Sequence, residues 1–226
     1  MDYLILALVG SIIILDTTVV IQSLISQPLI SCTIVGYILG DIQLGIKIGF
    51  YLQLLWLSSI PVGAAIVPEG NVAAIIISTL IIKHSNLYGN FYTILVCSTI
   101  YGVFISYLGG QVVVLYRKTN ILLVKKASTN IQAGKINFLN RLNPITLLYH
   151  YILFFVLIIL SLLLGDICFN IFSIIPVSLE PYFKYGAIAI IGIGIGLVLP
   201  IYREKYSQSI IILGIIIGIF IFWIIG

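Results

Sequence analysis

Charge is what this sequence has least of. Only 8% of its 226 residues are Asp, Glu, Lys or Arg, against about 25% in an average soluble protein. With 61% hydrophobic residues and a mean hydropathy of +1.24, a soluble fold is excluded, because it has too little interior to hide the apolar side chains. Cysteine is confined to Cys32, Cys97 and Cys168, odd in number, widely spaced and set among apolar residues. That excludes a disulfide framework or a zinc site, and these thiols are expected to pack as small buried hydrophobes. His84 and His150 stand at the edges of apolar segments without a second histidine or carboxylate at ligand spacing, so both are expected at the membrane interface. No Ser-His-Asp arrangement, partnered carboxylate pair, Walker loop or cysteine-histidine cluster is present. No catalytic residue, cofactor or metal is therefore expected, and an intramembrane enzyme is disfavoured. The run Gly192, Gly194, Gly196 lies inside an apolar span without strand-turn-helix context, so it is no nucleotide loop.

Long apolar runs are what the chain does have. They cover residues 3–15, 44–60, 72–82, 91–116, 147–164, 185–201 and 209–225, with a shorter one at 28–39. A membrane-crossing helix needs roughly 20 apolar residues, so the length allows about six to nine crossing or re-entrant segments. The expected fold is all-α: a polytopic integral membrane helical bundle, one domain over residues 1–226, with 1–82 carrying a polar site. Segments 28–39 and 72–82 fall short of a crossing and are expected as re-entrant or broken helices, tolerated only where they are buried or line a watery cavity. The first run follows Asp2 without the basic start of a signal peptide and is expected to remain in the mature protein.

Six of the eleven basic residues, Arg117, Lys118, Lys125, Lys126, Lys135 and Arg141, lie in one acid-free segment. The positive-inside rule makes 117–143 a basic cytoplasmic loop. Topology accounts for these charges without nucleic acid. Part of the loop alternates apolar residues with bases and amides, the pattern of a surface amphipathic helix as well as of a solvated loop. Counting onward, the Arg203-Glu204-Lys205 turn is cytoplasmic and Gly226 external.

Polar residues in apolar context concentrate in the first third: Asp16, Gln22, Gln27, Asp41, Lys47, Gln53 and Glu69. A charge at the centre of a membrane helix costs about 2.5–3.5 kcal/mol on insertion scales, so such residues face a cavity, a partner or a substrate path. Glycines at 36, 40, 45 and 49 offer small positions along one helical side, first for close helix packing and second for a ligand path. Pro61 to Asn71 (PVGAAIVPEGN) breaks two apolar segments. Such breaks free backbone groups for ligands in transporters, while Pro68-Glu69-Gly70 also reads as a helix start whose carboxylate complements the dipole.

The stretch Leu15 to Leu80 resembles a known family. It carries Leu15-Asp16, Gln22, Ser26 with Pro28-Leu29, Val35-Gly36, Leu39-Gly40-Asp41, Gly45, Gly49, Leu52 with Leu54, and Gly63-Ala64-Ala65 followed by Pro68. In this order they are similar to the N-terminal signature of the IIC component of mannose-, fructose- and sorbose-type bacterial sugar phosphotransferase systems. The resemblance implies a multi-pass subunit of the bacterial cytoplasmic membrane that pairs with a IID subunit, in an oligomer of IIC-IID pairs within the lipid bilayer. It would carry a hexose inward for phosphorylation by IIB, which IIA supplies with phosphate. On that reading Gln53, Glu69 and Asn71 bind sugar hydroxyls, Asp16 and Asp41 serve charge pairing or gating, and Lys47 balances Asp41. The chain departs from the family in having Gln27 where an arginine is frequent, Gln53 where a glutamate is, and Glu69 where an aspartate is. If positions 27 and 53 pair in relatives, changing both together leaves no buried charge uncompensated. The alternative is a membrane scaffold or receptor that keeps the fold without transporting.

Overall fold

Local rules set the first elements. In the computed structural model, which describes residues 2–20, 22–57, 67–88, 90–132, 139–172 and 175–199 and the single positions 209 and 213, α1 (Asp2–Thr18) is followed by a paired α2 (Pro28–Leu39) and α3 (Ile42–Trp56). Pro28 opens α2, where its missing N–H costs nothing, and Gly40 closes it at φ 85, a left-handed cap that glycine adopts freely. Asp41 then caps α3 by accepting the Leu44 N–H at 2.9 Å.

The result is a helical hairpin whose arms, 12 and 15 residues long, are each too short to cross a bilayer. Glycines zip it together: a Cβ on Gly45 would meet the Cys32 carbonyl oxygen at 2.6 Å, and one on Gly49 the Pro28 carbonyl at 2.9 Å. These glycines therefore serve close packing between arms, the first of the two uses their spacing allowed.

Helix α4 (Gly70–Tyr88) is the centre of the fold. It is longer than the apolar run 72–82 alone, at 19 residues, and every residue from Val72 to Ile82 is buried. A helix apolar on all sides has no solvent face to present. Around it pack α2, α3, α5 (Phe91–Gln132) and α6 (Leu139–Phe172), with α1 lying mainly on α6. After the short 3-10 turn Val177–Leu179, α7 (Glu180–Val198) seats Gly194 against the Leu54 backbone, where a Cβ would lie 2.8 Å away. Among the described residues, three helices are long and apolar enough to cross a membrane: 91–130, 142–169 and 177–198. No strand occurs among the described residues.

Residues 117–132 of the basic segment, left open between a solvated loop and an amphipathic helix, are helical and continue α5, which reaches 42 residues. Between Gln111 and Gln132 there is neither glycine nor proline to stop it, and the Leu, Lys and Ala in that stretch favour helix. At 1.5 Å per residue α5 is about 63 Å long, roughly twice a hydrocarbon core of about 30 Å. His84 and His150 are both buried among protein side chains. His150 packs between Tyr116 and Phe154, while His84 stacks on Phe169 and meets Asp166 at 2.9 Å.

That last contact belongs to a polar tie joining α1, α4 and α6. Asp166 accepts from Tyr3 Oη at 2.6 Å and from Lys83 Nζ at 3.1 and 3.2 Å, and Lys83 also bonds Tyr3. At the same end Glu180 caps α5, accepting from the Tyr92 and Thr93 amides and the Thr93 hydroxyl. The Arg203-Glu204-Lys205 turn, the bulk of the run 209–225 and residues 61–66 of the proline-glycine break lie outside the described residues.

Candidate functional site

At the other end of α4 the polar residues surround space instead of each other. A cavity of about 680 Å³, within the roughly 300–1,000 Å³ range of small-molecule sites, opens where α1, the hairpin and α4 converge. Asp16 and Thr17 come from the end of α1, and Gln22, Leu24, Ser26 and Gln27 from the following loop. Gln53, Trp56 and Leu57 come from the end of α3, and residues 67–71, including Glu69 and Asn71, from the entry to α4.

The loop has an unusual backbone. Gln22 and Leu24 have φ of 54 and 68, the left-handed region that a non-glycine residue enters only when its surroundings impose it. Asp16 supplies that imposition. Its Oδ1 accepts from the Ser23 amide at 2.6 Å and hydroxyl at 2.9 Å, and its Oδ2 accepts from the Ser26 amide and hydroxyl, each at 3.3 Å. The carboxylate expected to pair or gate is thus the organiser of the loop.

Gln53 is also partly committed. Its Oε1 accepts the Leu29 N–H at 3.2 Å, one of the amides a helix start leaves unpaired, and its Nε2 donates to Gln27 Oε1 at 3.0 Å. Positions 27 and 53, singled out as a joint departure from the family pattern, are therefore in direct contact. One acceptor and one donor site remain on the Gln53 amide.

Glu69 and Asn71 are different. Glu69 is fixed through its backbone, its N–H donating to Ser106 O at 2.8 Å and its carbonyl accepting from Ala73 at 3.3 Å. Neither side chain has a hydrogen-bond partner among the described residues. Glu69 is both a helix start and a cavity wall, so the two readings of Pro68-Glu69-Gly70 coincide. Trp56 closes one side so tightly over Gly70 that a Cβ there would fall 2.2 Å from the indole.

Four of the five expected site residues, Asp16, Gln53, Glu69 and Asn71, line this one cavity. Asp41 does not. It sits at the hairpin tip, about 18 Å away along α2, as the cap of α3, and forms no ion pair with the exposed Lys47 among the described residues. Sequence reasoning missed Trp56, although it lies one helical turn after Gln53, and it missed the serines that Asp16 holds.

Chemically the cavity offers a free carboxylate, several amides that donate and accept, and an indole with an apolar face and a polar edge. That set suits a neutral polyhydroxylated ligand. No group of three or more His, Cys, Asp or Glu able to hold a metal occurs among the described residues.

Comparison with known proteins agrees in direction. The mannose-specific EIIC component of Escherichia coli (strain K12) is 45% identical over 56 residues, 25% of this chain and 21% of that protein. The fructose permease IIC component of Bacillus subtilis (strain 168) is 28% identical over 110 residues, 49% of this chain and 38% of that protein. The matched stretches thus span from about a fifth to under two fifths of these relatives' lengths. Among solved structures, one described only as a membrane protein superposes with a TM-score of 0.73, covering 96% of this chain and 85% of that one at 22% identity. The mannose transporter ManYZ, solved with microcin E492, gives 0.56 with 96% and 84% coverage, also at 22% identity. At that identity the likenesses speak for the fold. The family described as the PTS system sorbose-specific IIC component matches residues 1–224, and the chain belongs to that family.

Proposed function

We propose that this chain is the sugar-translocating IIC subunit of a mannose-type phosphoenolpyruvate-dependent phosphotransferase system. It works in the bacterial cytoplasmic membrane, paired with a IID subunit, and moves a hexose inward to be phosphorylated by IIB. The observation that carries this reading is the cavity itself, in which Glu69 and Asn71 have no partner within the described fold and face the amides of Gln22, Gln27 and Gln53 and the indole of Trp56. An ionised carboxylate accepts hydroxyl protons more strongly than a neutral group does, so Glu69 is the principal anchor, and Asn71 and the free sites on Gln53 fix orientation. Asp16 acts one step removed by shaping the loop. The acid-free basic end of the α5–α6 pair faces the cytoplasm, where the soluble relay proteins work.

The test is uptake of radiolabelled hexoses by cells expressing the chain with a IID partner, IIA and IIB, comparing wild type with Glu69→Ala and Asn71→Ala. The expected outcome is accumulation of sugar phosphate that falls in both variants. An assembled complex that takes up none of a broad panel of hexoses would reject transport in favour of the scaffold or receptor.

A further inference from the structure

Glu69 leans on a particular face of α5. Its N–H donates to the Ser106 carbonyl, and its Cβ lies 2.8 Å from where a side chain on Gly109 would begin. Arg117 follows Ser106 by about three helical turns and so falls on the same side of α5. Helical side chains tilt toward the N-terminus of their helix, which aims Arg117 back at Glu69. Burial, the larger influence, favours the neutral form of the Glu69 carboxyl, and the charge of Arg117 opposes it; the two form no direct ion pair in this structure, where Asp166 with Lys83 and His84 makes the only ones among the described residues. Arg117 also differs from the bases after it, being half-buried where Lys118, Lys125 and Lys126 are exposed. Topology alone explains exposed lysines. It does not explain a half-buried arginine on the face of α5 that carries the cavity's one unpartnered carboxylate.

We propose that Arg117 is the counter-charge of Glu69, a positioning residue outside the cavity wall that stabilises the carboxylate in its charged, ligand-accepting state. The inference rests on the transport reading for its consequence and on geometry for the pair itself. Arg117 does not touch the ligand; it acts through Glu69. Its loss therefore matters only while position 69 carries a charge.

The test is a double-mutant cycle on the full chain assembled with its membrane partner, using Arg117→Met, Glu69→Gln and the double variant. Binding of radiolabelled mannose by equilibrium dialysis is expected to weaken about tenfold in Arg117→Met, to recover in Arg117→Lys, and to change less than twofold when Arg117→Met is added to Glu69→Gln. Thermal unfolding without sugar gives a second cycle: each single change lowers Tm by about 2–4 °C, and the double lowers it no further than the larger single. If Arg117→Met does not accumulate, Arg117→Gln takes its place. Coupled unfolding without mannose binding by wild type keeps the counter-charge and removes mannose transport. Mannose binding by wild type with additive effects in both cycles overturns the counter-charge and leaves the transport reading standing.

Discussion

The two ends of α4 carry similar chemistry to opposite effect. At the Lys83–His84 end a carboxylate, an ammonium, an imidazole and a phenol meet around Asp166, each bonded to another. At the Gly70 end a carboxylate and an amide, Glu69 and Asn71, face a cavity with no partner in the described fold. Buried polar groups in native proteins are nearly always paired, and in a membrane an unpaired one is costlier still. Saturation therefore marks the far end as a structural tie, while on the proposed reading the near end is where a ligand completes the bonding.

The largest expected effect tests the tie. Asp166→Ala removes the acceptor that Tyr3, Lys83 and His84 share and is expected to cost about 2–3 kcal/mol of stability, a figure below that of a fully buried ion pair because Asp166 is about one-third exposed. Thermal unfolding measures it, and sugar binding by the folded fraction should stay within twofold. Glu69→Gln should invert the pattern, with at most about 1 kcal/mol of stability lost and binding reduced roughly 10- to 100-fold, the worth of charge-assisted hydrogen bonds. Equal destabilisation by both variants would erase the distinction between the two ends.

Asp16 is the intermediate case, a cavity residue whose four acceptor positions are already filled. Asp16→Ala is expected to lose about 2 kcal/mol of stability and also to weaken binding, because the loop that presents Gln22 loses its anchor. Asp16→Asn should fall between, since an amide oxygen still accepts while its NH2 opposes a serine amide. Loss of binding at unchanged stability would make Asp16 a direct ligand contact instead.

How far the sequence revealed this contrast follows from where the partners lie along the chain. Asp16, Glu69 and Asn71 were legible because a charge or amide in apolar context is costly wherever it ends up, and because the family signature spans the same stretch. The shortness of the first hairpin arm was legible in the run 28–39, while the hairpin itself was not read, although Pro28 and Gly40 act locally to start and stop that arm. Asp41 lies apart from the cavity as the cap of α3, a placement the sequence left open because capping and ligand contact call for the same carboxylate. The far tie was invisible: Tyr3 and Lys83 meet Asp166 across separations of 163 and 83 residues, and no local pattern encodes a contact at that range. The helix through 117–132 was half legible, because its alternation of apolar residues with bases suits a helix and a solvated loop alike, while its continuity with α5 needed the absence of any glycine or proline stop.

Within the cavity, Gln27 and Gln53 form a neutral version of the tie at the far end. Gln27→Arg alone places a cation beside an amide and is expected to cost about 1–2 kcal/mol, as is Gln53→Glu through a lone carboxylate, while the two together should recover most of it. The 3.0 Å contact between the two side chains makes this coupling direct. A double variant no more stable or active than either single one would mean that these positions changed independently.

The smallest expected effect has the opposite sign. Leu24 holds φ 68 and is 61% exposed, so it gains little from packing while carrying a left-handed backbone that costs an L-residue about 1–2 kcal/mol. Leu24→Gly removes that strain but enlarges the freedom of the unfolded chain by about 0.5–1 kcal/mol. The net expectation is a gain of up to about 1 kcal/mol, read as a small rise in Tm. What distinguishes the two ends of α4 is then the companion measurement. If sugar binding weakens while stability rises, the strained loop is held for the ligand, as strained segments at functional sites are. If binding stays the same, Asp16 fixes the loop with or without the strain, and the left-handed turn is only the shortest path from α1 into the hairpin.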